Sequence, residues 1–440
     1  MSHSSDTTLP DTLSVLDVVA LVVGVVLGAS IFSNPAPVAG SVGDFWSILL
    51  VWGLGGLVSL IGALCYAELA SAHPHAGGDY YYFQRAFGDW MAFLFAWARL
   101  VVIQTGSITF IAFVFGDYAS QIWSLGPYSS SLYAAVSIVG LTFLNVSGVR
   151  FGKITQRALT GGTILGLLLI VGAGLFLAPE AAAEGSPGSA DGWLSSSQLG
   201  GAMVFVLYTY GGWNEAAYVS GELRNVQKNM VRALLISIGL ITTLYLLVNW
   251  AYLNGLGVEG VANTDAVAAD LMRVTLGEPG AIVLSLLVAV AALSSANATI
   301  FTGARTNYAL GRDTSLFSML GVWDDRADTP ANALWVQCGV ALALVGVGAV
   351  TRQGFQSMVD YTAPVFWLFF LATGVALFVL RYREPGVDRP FRVPLYPLTP
   401  VLFCLASAYM LWSSLAYTGI GALLGAAVLL AGVPLLWFRR

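Results

Sequence analysis

Long apolar runs, interrupted by few charges, recur along this 440-residue chain and restrict its fold more than any other feature. A bilayer core of about 30 Å is crossed by a helix of about 20 apolar residues. Only 10% of the residues are charged, whereas soluble domains carry about 25%. The runs are too long for a membrane barrel, whose strands alternate over about ten residues. The sequence therefore predicts an all-α membrane protein.

Twelve membrane spans are predicted, separated by polar or Gly/Pro-rich segments. They cover roughly 14–40, 46–71, 89–119, 130–148, 155–178, 198–221, 230–255, 280–310, 331–350, 357–381, 397–416 and 418–438. With a cytoplasmic N-terminus, 16 of the 19 lysines and arginines fall in cytoplasmic segments, two fall outside and Arg99 lies inside span three. The positive-inside rule thus predicts an integral protein of the cytoplasmic (inner or plasma) membrane with both termini in the cytoplasm.

The titratable residues exclude several classes of function. The three histidines lie outside the apolar runs, and the three cysteines are far apart within them. Neither a nucleophile–base pair nor a set of metal ligands is expected at membrane depth, so an enzyme is not expected and no cofactor is implied. The net charge of −5 argues against nucleic acid as a partner.

Spans one and six are interrupted by helix-breaking residues. Span one carries glycines and prolines between 24 and 37, and span six carries Gly211-Gly212. Irregular backbone at membrane depth is tolerated only where protein or a water-filled cavity satisfies it. The two spans hold the same place in successive five-helix units, and an odd number of helices inverts the second unit. A single domain (1–440) is predicted, with inverted repeats at 14–178 and 198–381 and two additional helices at 397–438.

The interruptions predict a binding site for a zwitterion, because broken helices expose free amides and free carbonyls. The amides of Ala29, Ser30 and Ile31 are expected to hold an α-carboxylate. An α-ammonium is expected at backbone carbonyls of both spans, and the substrate side chain is expected to meet aromatic and polar residues of span six. The predicted substrate-binding residues are Val26, Gly28, Ala29, Ser30, Ile31, Tyr208, Tyr210, Gly211, Gly212, Trp213 and Asn214. Taken alone, Gly24 and Gly28 are equally typical of ordinary close helix packing.

Several stretches carry a family resemblance: VVGVVLGASIF, LCYAELASAHPHAGGDYYYFQRAFG, YTYGGWNEAAYVSGELRNVQKNM, SSANATIFTGARTNYALGRD and LRYREPGVDRPFRVPLYPLTP. The chain resembles the amino acid–polyamine–organocation superfamily, and within it the L-type amino acid transporter branch and its bacterial relatives. The resemblance implies a five-plus-five inverted repeat with two further helices, and amino-acid transport by alternating access. It places Gly28-Ala29-Ser30 on the carboxylate-binding break, where Ser30 replaces a glycine and narrows the site. It also places Tyr208 on the aromatic lid of span six.

Ala29 and Ser30 depart from the glycine-serine-glycine that is usual at the carboxylate-binding break, and the chain departs from the family pattern at two further places. Many sodium-independent members carry a lysine in span five, but this position falls near Gly166 here. The ion to which transport is coupled is therefore left open. A sodium site near Val25, Ser294 and Ser295 is one alternative, and coupling to protons is another. The two serines are equally able to hydrogen-bond within their own helix. Animal L-type members bond a partner glycoprotein through a cysteine after span three. Residues 120–129 contain none, so no disulfide-linked accessory subunit is expected.

Charges inside the spans are further functional candidates, because an intramembrane charge is costly unless it is paired or hydrated. Arg99 has Glu68, Glu215, Glu222 and Asp360 as candidate partners. Glu215, just after the break of span six, is expected either to select cationic or hydroxylated substrates, to carry a proton, or simply to cap the following half-helix. Residues 79–88 are predicted to form an interfacial helix at the lipid headgroups.

These features together predict a secondary active transporter of small or medium neutral amino acids, working by exchange or by cation-coupled uptake. A membrane amino-acid sensor that does not translocate its ligand, and a carrier of another small amine or organic solute, are the alternatives. The partners implied are the amino-acid substrate and the lipid bilayer.

Overall fold

The computed structural model is helical almost throughout. It describes residues 14–75, 77–148, 153–178, 195–351, 354–417 and 420–438. Within these ranges β pairing is limited to one isolated bridge between Asp324 and Thr329, so the predicted all-α class is confirmed. The α-helices are α1 Val15–Val26, α2 Pro35–Val42, α3 Phe45–Ala72, α4 Asp79–Phe87, α5 Asp89–Ala98, α6 Gln104–Ile122, α7 Ser129–Val146, α8 Lys153–Phe176, α9 Ser196–Tyr210, α10 Val226–Ala262, α11 Val267–Asp313, α12 Ala331–Thr351, α13 Gly354–Arg383, α14 Leu398–Ala416, α15 Ile420–Leu430 and α16 Gly432–Leu435.

Eight helices of the described part are long and apolar enough to cross a membrane. They are Phe45–Ala72, Asp89–Ile122, Ser129–Val146, Lys228–Ala262, Val267–Asp313, Ala331–Thr351, Gly354–Arg383 and Leu398–Ala416. Shorter apolar helices cover Val15–Val26, Gly161–Phe176 and Ile420–Leu435. Most helices follow the predicted span boundaries to within a few residues. Spans one and six divide into short pieces as predicted, and span twelve does so as well, as α15, α16 and a 3₁₀ turn at Leu436–Phe438.

The helix that crosses from Asp89 to Ile122 is not uniform. Its central residues Arg99–Ile103 form a π-helical turn between α5 and α6. Such turns accommodate an extra residue and are frequent at functional sites. The hydroxyl of Tyr361 in α13 donates to the Val101 carbonyl at 2.9 Å, which satisfies one acceptor of the irregular turn.

Two long helices contain a sharp bend at glycine. Gly257 in α10 and Gly277 in α11 have φ values of 70° and 73°, which residues with a side chain rarely adopt. The bends separate the predicted spans 230–255 and 280–310 from the segment that joins them. This joining segment is largely helical, where the sequence had suggested a loop.

Helix α4 is the amphipathic segment expected at the headgroups. In the structure Tyr82 and Phe83 are fully buried, and Phe83 packs on Phe95 and Phe369. The helix is therefore docked against α5 and α13 through its aromatic residues, a packing role that the expectation of an interfacial helix did not include.

A buried ion pair ties α3 to α13. The Arg381 guanidinium donates to both carboxylate oxygens of Glu68, with Nε–Oε1 at 2.6 Å and Nη2–Oε2 at 2.5 Å. The same carboxylate accepts the amide of Val393 at 2.7 Å, and Arg389 lies 3.8 Å away. Glu68 is 2% exposed. Removal of one partner from such a pair leaves an uncompensated buried charge, which costs about 3–5 kcal/mol.

We expect Glu68→Gln to lower the free energy of unfolding by about 3–5 kcal/mol, because the Arg381 charge loses its buried carboxylate. Thermal or denaturant unfolding of the purified protein in detergent measures this loss. Glu259→Gln, which neutralises an exposed carboxylate, is the matched control and should unfold like the wild type. Unchanged stability of Glu68→Gln would contradict a structural role for the pair.

Candidate functional site

The breaks in the first and sixth predicted spans lie against each other. Helix α1 ends at Val26 and α9 ends at Tyr210, after which Gly211 and Gly212 leave the helical conformation. Gly212 has a φ of 107°, and a Cβ at this position would lie 2.8 Å from Val25 Cγ1. Only glycine therefore allows both this backbone turn and this close approach to α1.

The first break begins at Gly28, which is extended (φ −73°, ψ −164°), and continues as a 3₁₀ turn over Ala29–Phe32. The Ser30 carbonyl accepts the amides of Ser33 at 3.2 Å and Asn34 at 2.9 Å. Ala29 and Ile31 have buried side chains, whereas Ser30 is half-buried. Pro35 opens α2, a position where its missing amide and fixed φ are favourable. The interruption predicted around residues 28–30 is thus present as local backbone structure.

Asn34 joins the outer part of the first break to α9. It is fully buried, and its Nδ2 donates to the Phe205 carbonyl at 3.2 Å and to Thr209 Oγ1 at 2.5 Å. The turn before it is held from another side, since the Tyr118 hydroxyl donates to the Phe32 carbonyl at 2.8 Å. The Tyr118 contact satisfies an irregular carbonyl that a hydrocarbon environment would leave without a partner, and the Asn34 contacts attach the break to α9.

Tyr245 of α10 links the two breaks directly. Its hydroxyl lies 2.7 Å from the Val26 carbonyl and 3.1 Å from the Thr209 carbonyl, at the last turns of α1 and α9. The ring is fully buried against Trp52 and Tyr210. Sequence reasoning missed this residue, because span seven also carries Trp250 and Tyr252 and the sequence does not distinguish Tyr245 from them.

The aromatic residues of the second break divide into two groups. Tyr208 is half-buried and packs on Phe110 at a centroid distance of 5.0 Å. Tyr210, predicted to read the substrate side chain, is instead fully buried and donates its hydroxyl to the Trp52 carbonyl at 3.1 Å. Its place is in the packing between α9, α3 and α10, not beside Tyr208.

Trp213 also packs internally, stacked on Phe370 at 5.5 Å and edge-on to Tyr66 at 5.1 Å. Its neighbour Asn214 is buried, and its Oδ1 accepts no hydrogen bond within the described residues. A buried amide oxygen of this kind is an available acceptor for a polar ligand group.

Arg99 pairs with Glu215, one of its four candidate partners. Arg99 Nη2 lies 3.5 Å from Glu215 Oε1, and the two side chains are 9% and 37% exposed. Glu68 is instead engaged by Arg381, and the Glu222 side chain lies outside the described part of the structure. The pair connects the π turn of the third predicted span to the start of the 3₁₀ segment Trp213–Glu222.

The residues considered for cation coupling lie in α8, α11 and α1. Ser294 and Ser295 are half-buried in α11, and the Ser295 carbonyl accepts the Thr299 hydroxyl at 2.8 Å. Gly166, at the place of the family's lysine, is buried near Leu284 of α11. Among the described residues, His, Cys, Asp and Glu do not form a group that would hold a metal ion. The three cysteines lie in α3, α12 and α14 and are free.

We expect Tyr245→Phe to destabilise the protein by about 1–3 kcal/mol, because buried carbonyls lose their hydroxyl donor. Thermal unfolding in detergent measures this. Tyr133→Phe removes an exposed hydroxyl that donates to the Trp123 carbonyl, and as the control it should change stability by less than about 0.5 kcal/mol. Equal effects of the two substitutions would contradict a special role for Tyr245.

Comparison with known proteins finds relatives that match nearly the whole chain. The b(0,+)-type amino acid transporter 1 of Mus musculus is 30% identical over 422 residues, covering 93% of this chain and 84% of the relative. The large neutral amino acids transporter small subunit 2 of Mus musculus is 31% identical, covering 97% and 80%. The Asc-type amino acid transporter 1 of Homo sapiens is 31% identical, covering 97% and 82%. These relatives confirm the resemblance to the L-type branch.

The family model described as amino acid permease matches residues 13–433, which is nearly the whole chain. The description of the family is that of a transporter family. Its members include proteins named for amino-acid transport, and the apolar helices agree with an integral membrane protein. This chain belongs to the amino acid permease family.

Proposed function

We propose that the protein is a secondary active transporter of zwitterionic amino acids, working by alternating access in the cytoplasmic membrane. The observation that supports this best is the contact between two interrupted helices at Gly212 and Val25. Paired broken helices in corresponding places of two inverted repeats are typical of transporter binding sites. In this proposal the chain has twelve spans, built from the repeats 14–178 and 198–381 with two further helices, and both termini are cytoplasmic.

The substrate's backbone groups would bind the free polar groups of the breaks. The α-carboxylate is assigned to the amides at the start of the turn Ala29–Phe32, where the helix dipole favours an anion. The α-ammonium is assigned to the carbonyls of Val26, Tyr208 and Gly211. The Val26 carbonyl already accepts the Tyr245 hydroxyl, but a carbonyl oxygen has a second lone pair for the ammonium.

The substrate side chain would meet Ser30, Tyr208 and Asn214. We assign small or medium neutral amino acids because Ser30 adds bulk at the first break and Tyr208 covers the second. Beside this region the Arg99 guanidinium already pairs with the Glu215 carboxylate, 3.5 Å away. A cationic or anionic side chain would therefore have to compete with this ion pair for its opposite charge.

Uptake of a labelled amino-acid mixture into proteoliposomes tests the proposal. Internal amino acid, a sodium gradient and a proton gradient are imposed separately. Accumulation under any of these conditions supports transport, whereas binding without uptake under all of them favours a sensor. The alternative sodium site near Val25, Ser294 and Ser295 requires that a sodium gradient drives uptake and that Ser295→Ala abolishes this effect. No disulfide-linked accessory subunit is required in the assay.

We expect Ser30→Gly to widen the substrate range, because it removes a Cβ and a hydroxyl at the first break. Competition of labelled alanine uptake by unlabelled leucine and phenylalanine measures this change, and their half-inhibitory concentrations should fall relative to that of alanine. Ser41→Gly, in the last turn of α2, is the control. An unchanged competition profile in Ser30→Gly would remove Ser30 from the substrate site.

A further inference from the structure

A mixed-charge cluster of Asp79, Arg99 and Glu215 lies beside the second break. Asp79 is the first residue of α4, Arg99 opens the π turn and Glu215 lies in the 3₁₀ segment that follows α9. Arg99 and Glu215 are 3.5 Å apart, and Asp79 lies within electrostatic reach of both. We call these three residues the Asp79 cluster.

Asp79 is almost completely enclosed, with 3% exposure. The Thr373 hydroxyl of α13 lies 3.1 Å from Asp79 Oδ1 and 3.0 Å from the Phe369 carbonyl of its own helix. A hydroxyl has one hydrogen, so it donates to one of these two acceptors at a time. It can donate to an ionised Asp79, or accept from a protonated Asp79 while donating to Phe369. The local geometry therefore accommodates both protonation states.

Further hydroxyls surround this carboxyl. The Tyr66 hydroxyl of α3 lies 3.3 Å from Thr373 Oγ1 and also reaches Asp79. The Tyr82 hydroxyl, one turn along α4, is fully buried and has no hydrogen-bond partner within the described residues. Such a group supplies an unused donor and acceptor close to Asp79.

The charge balance favours uptake of a proton. Two carboxylates lie within electrostatic reach of one guanidinium, so the three groups, when all are ionised, sum to a charge of −1 in a buried place, which is unfavourable. Burial raises the pKa of the Asp79 carboxyl to about 6, and Glu215 adds to this effect. The hydroxyls of Tyr66 and Thr373 and the positive charge of Arg99 act in the opposite direction.

We infer that Asp79 is a proton-binding site and that its protonation is coupled to amino-acid movement. The inference rests on the proposed transport function and assigns protons as its driving ion. A proton from water converts the Asp79 carboxylate to the neutral acid, and the reverse step returns it. Glu215, as the more exposed member of the cluster, provides its contact with water.

The groups that act on Asp79 come from several separate elements. Tyr66 lies on α3, Thr373 on α13, Arg99 on the π turn, Glu215 on the segment after α9, and Tyr82 on α4 itself. Alternating access moves such elements relative to one another. A change in the distance of Arg99 or Glu215 from Asp79 changes its proton affinity, so proton binding in one state and release in the other follow from the arrangement.

The test uses the purified full-length protein in proteoliposomes that contain a pH-sensitive dye. An inward proton gradient should accelerate amino-acid uptake, addition of amino acid should acidify the lumen, and uptake should rise as external pH falls through about 6. Asp79→Asn should lose the acceleration and the acidification while keeping amino acid exchange. Asp89→Asn, which changes an exposed carboxylate of the neighbouring α5, should keep both.

A second variant covers the case in which Asp79→Asn does not fold. The Thr373 hydroxyl stabilises the ionised Asp79, so Thr373→Val should move the midpoint of the pH profile to higher pH. The inference would be overturned if the wild type exchanged amino acids without any dependence on protons. It would also be overturned if Asp79→Asn retained proton-driven uptake. Both outcomes would leave the proposed transport function standing. An unmoved midpoint in Thr373→Val would also overturn the inference. Absence of any uptake by the wild type would instead remove the transport function itself.

Discussion

The fold depends on satisfying backbone polar groups where two helices are interrupted. A hydrocarbon environment provides no water to the amides and carbonyls that a break exposes. Here the Tyr245 and Tyr118 hydroxyls donate to carbonyls of the breaks, and the Asn34 amide fastens the first break to the Phe205 carbonyl of α9. Tyr245 and Tyr118 come from α10 and α6, whereas Asn34 belongs to the first break itself, so the irregular segments are held both by neighbouring helices and by contacts of their own. The amides and carbonyls of the breaks that still lack a hydrogen-bond partner are then available to a substrate.

Much of the architecture was predictable because helix length and helix-breaking residues are local properties. The apolar runs placed the helices to within a few residues, and glycine and proline located the breaks at Gly28 and Gly211-Gly212. The facing sides of the helices were not predictable, because spans that are apolar all round carry no usable periodicity. Tyr210 was therefore assigned to the substrate, although its ring faces α3 and α10, and the role of Tyr245 was missed.

The partners of the charged residues were likewise not predictable from the sequence. The sequence marked Arg99 as costly and offered four carboxylates, but the choice of Glu215 depends on how the third and sixth spans pack. Glu68 was one of these four carboxylates, and its engagement with Arg381 was not predicted. Asp79 was assigned to a surface helix, whereas α4 docks through its aromatic face and encloses the carboxyl. Each of these outcomes follows from long-range packing, which a single sequence does not specify.

The π turn at Arg99–Ile103 has a consequence for the whole third span. One added residue rotates everything beyond it by about 100° relative to a regular α-helix, since each residue turns about that angle. Residues of α5 and α6 that share a face on a helical wheel therefore point in different directions in the protein. The span presents one surface to its neighbours at one end and a rotated surface at the other. Deletion of one residue from this turn would thus rotate the whole following part of the span, and would not alter only a single contact.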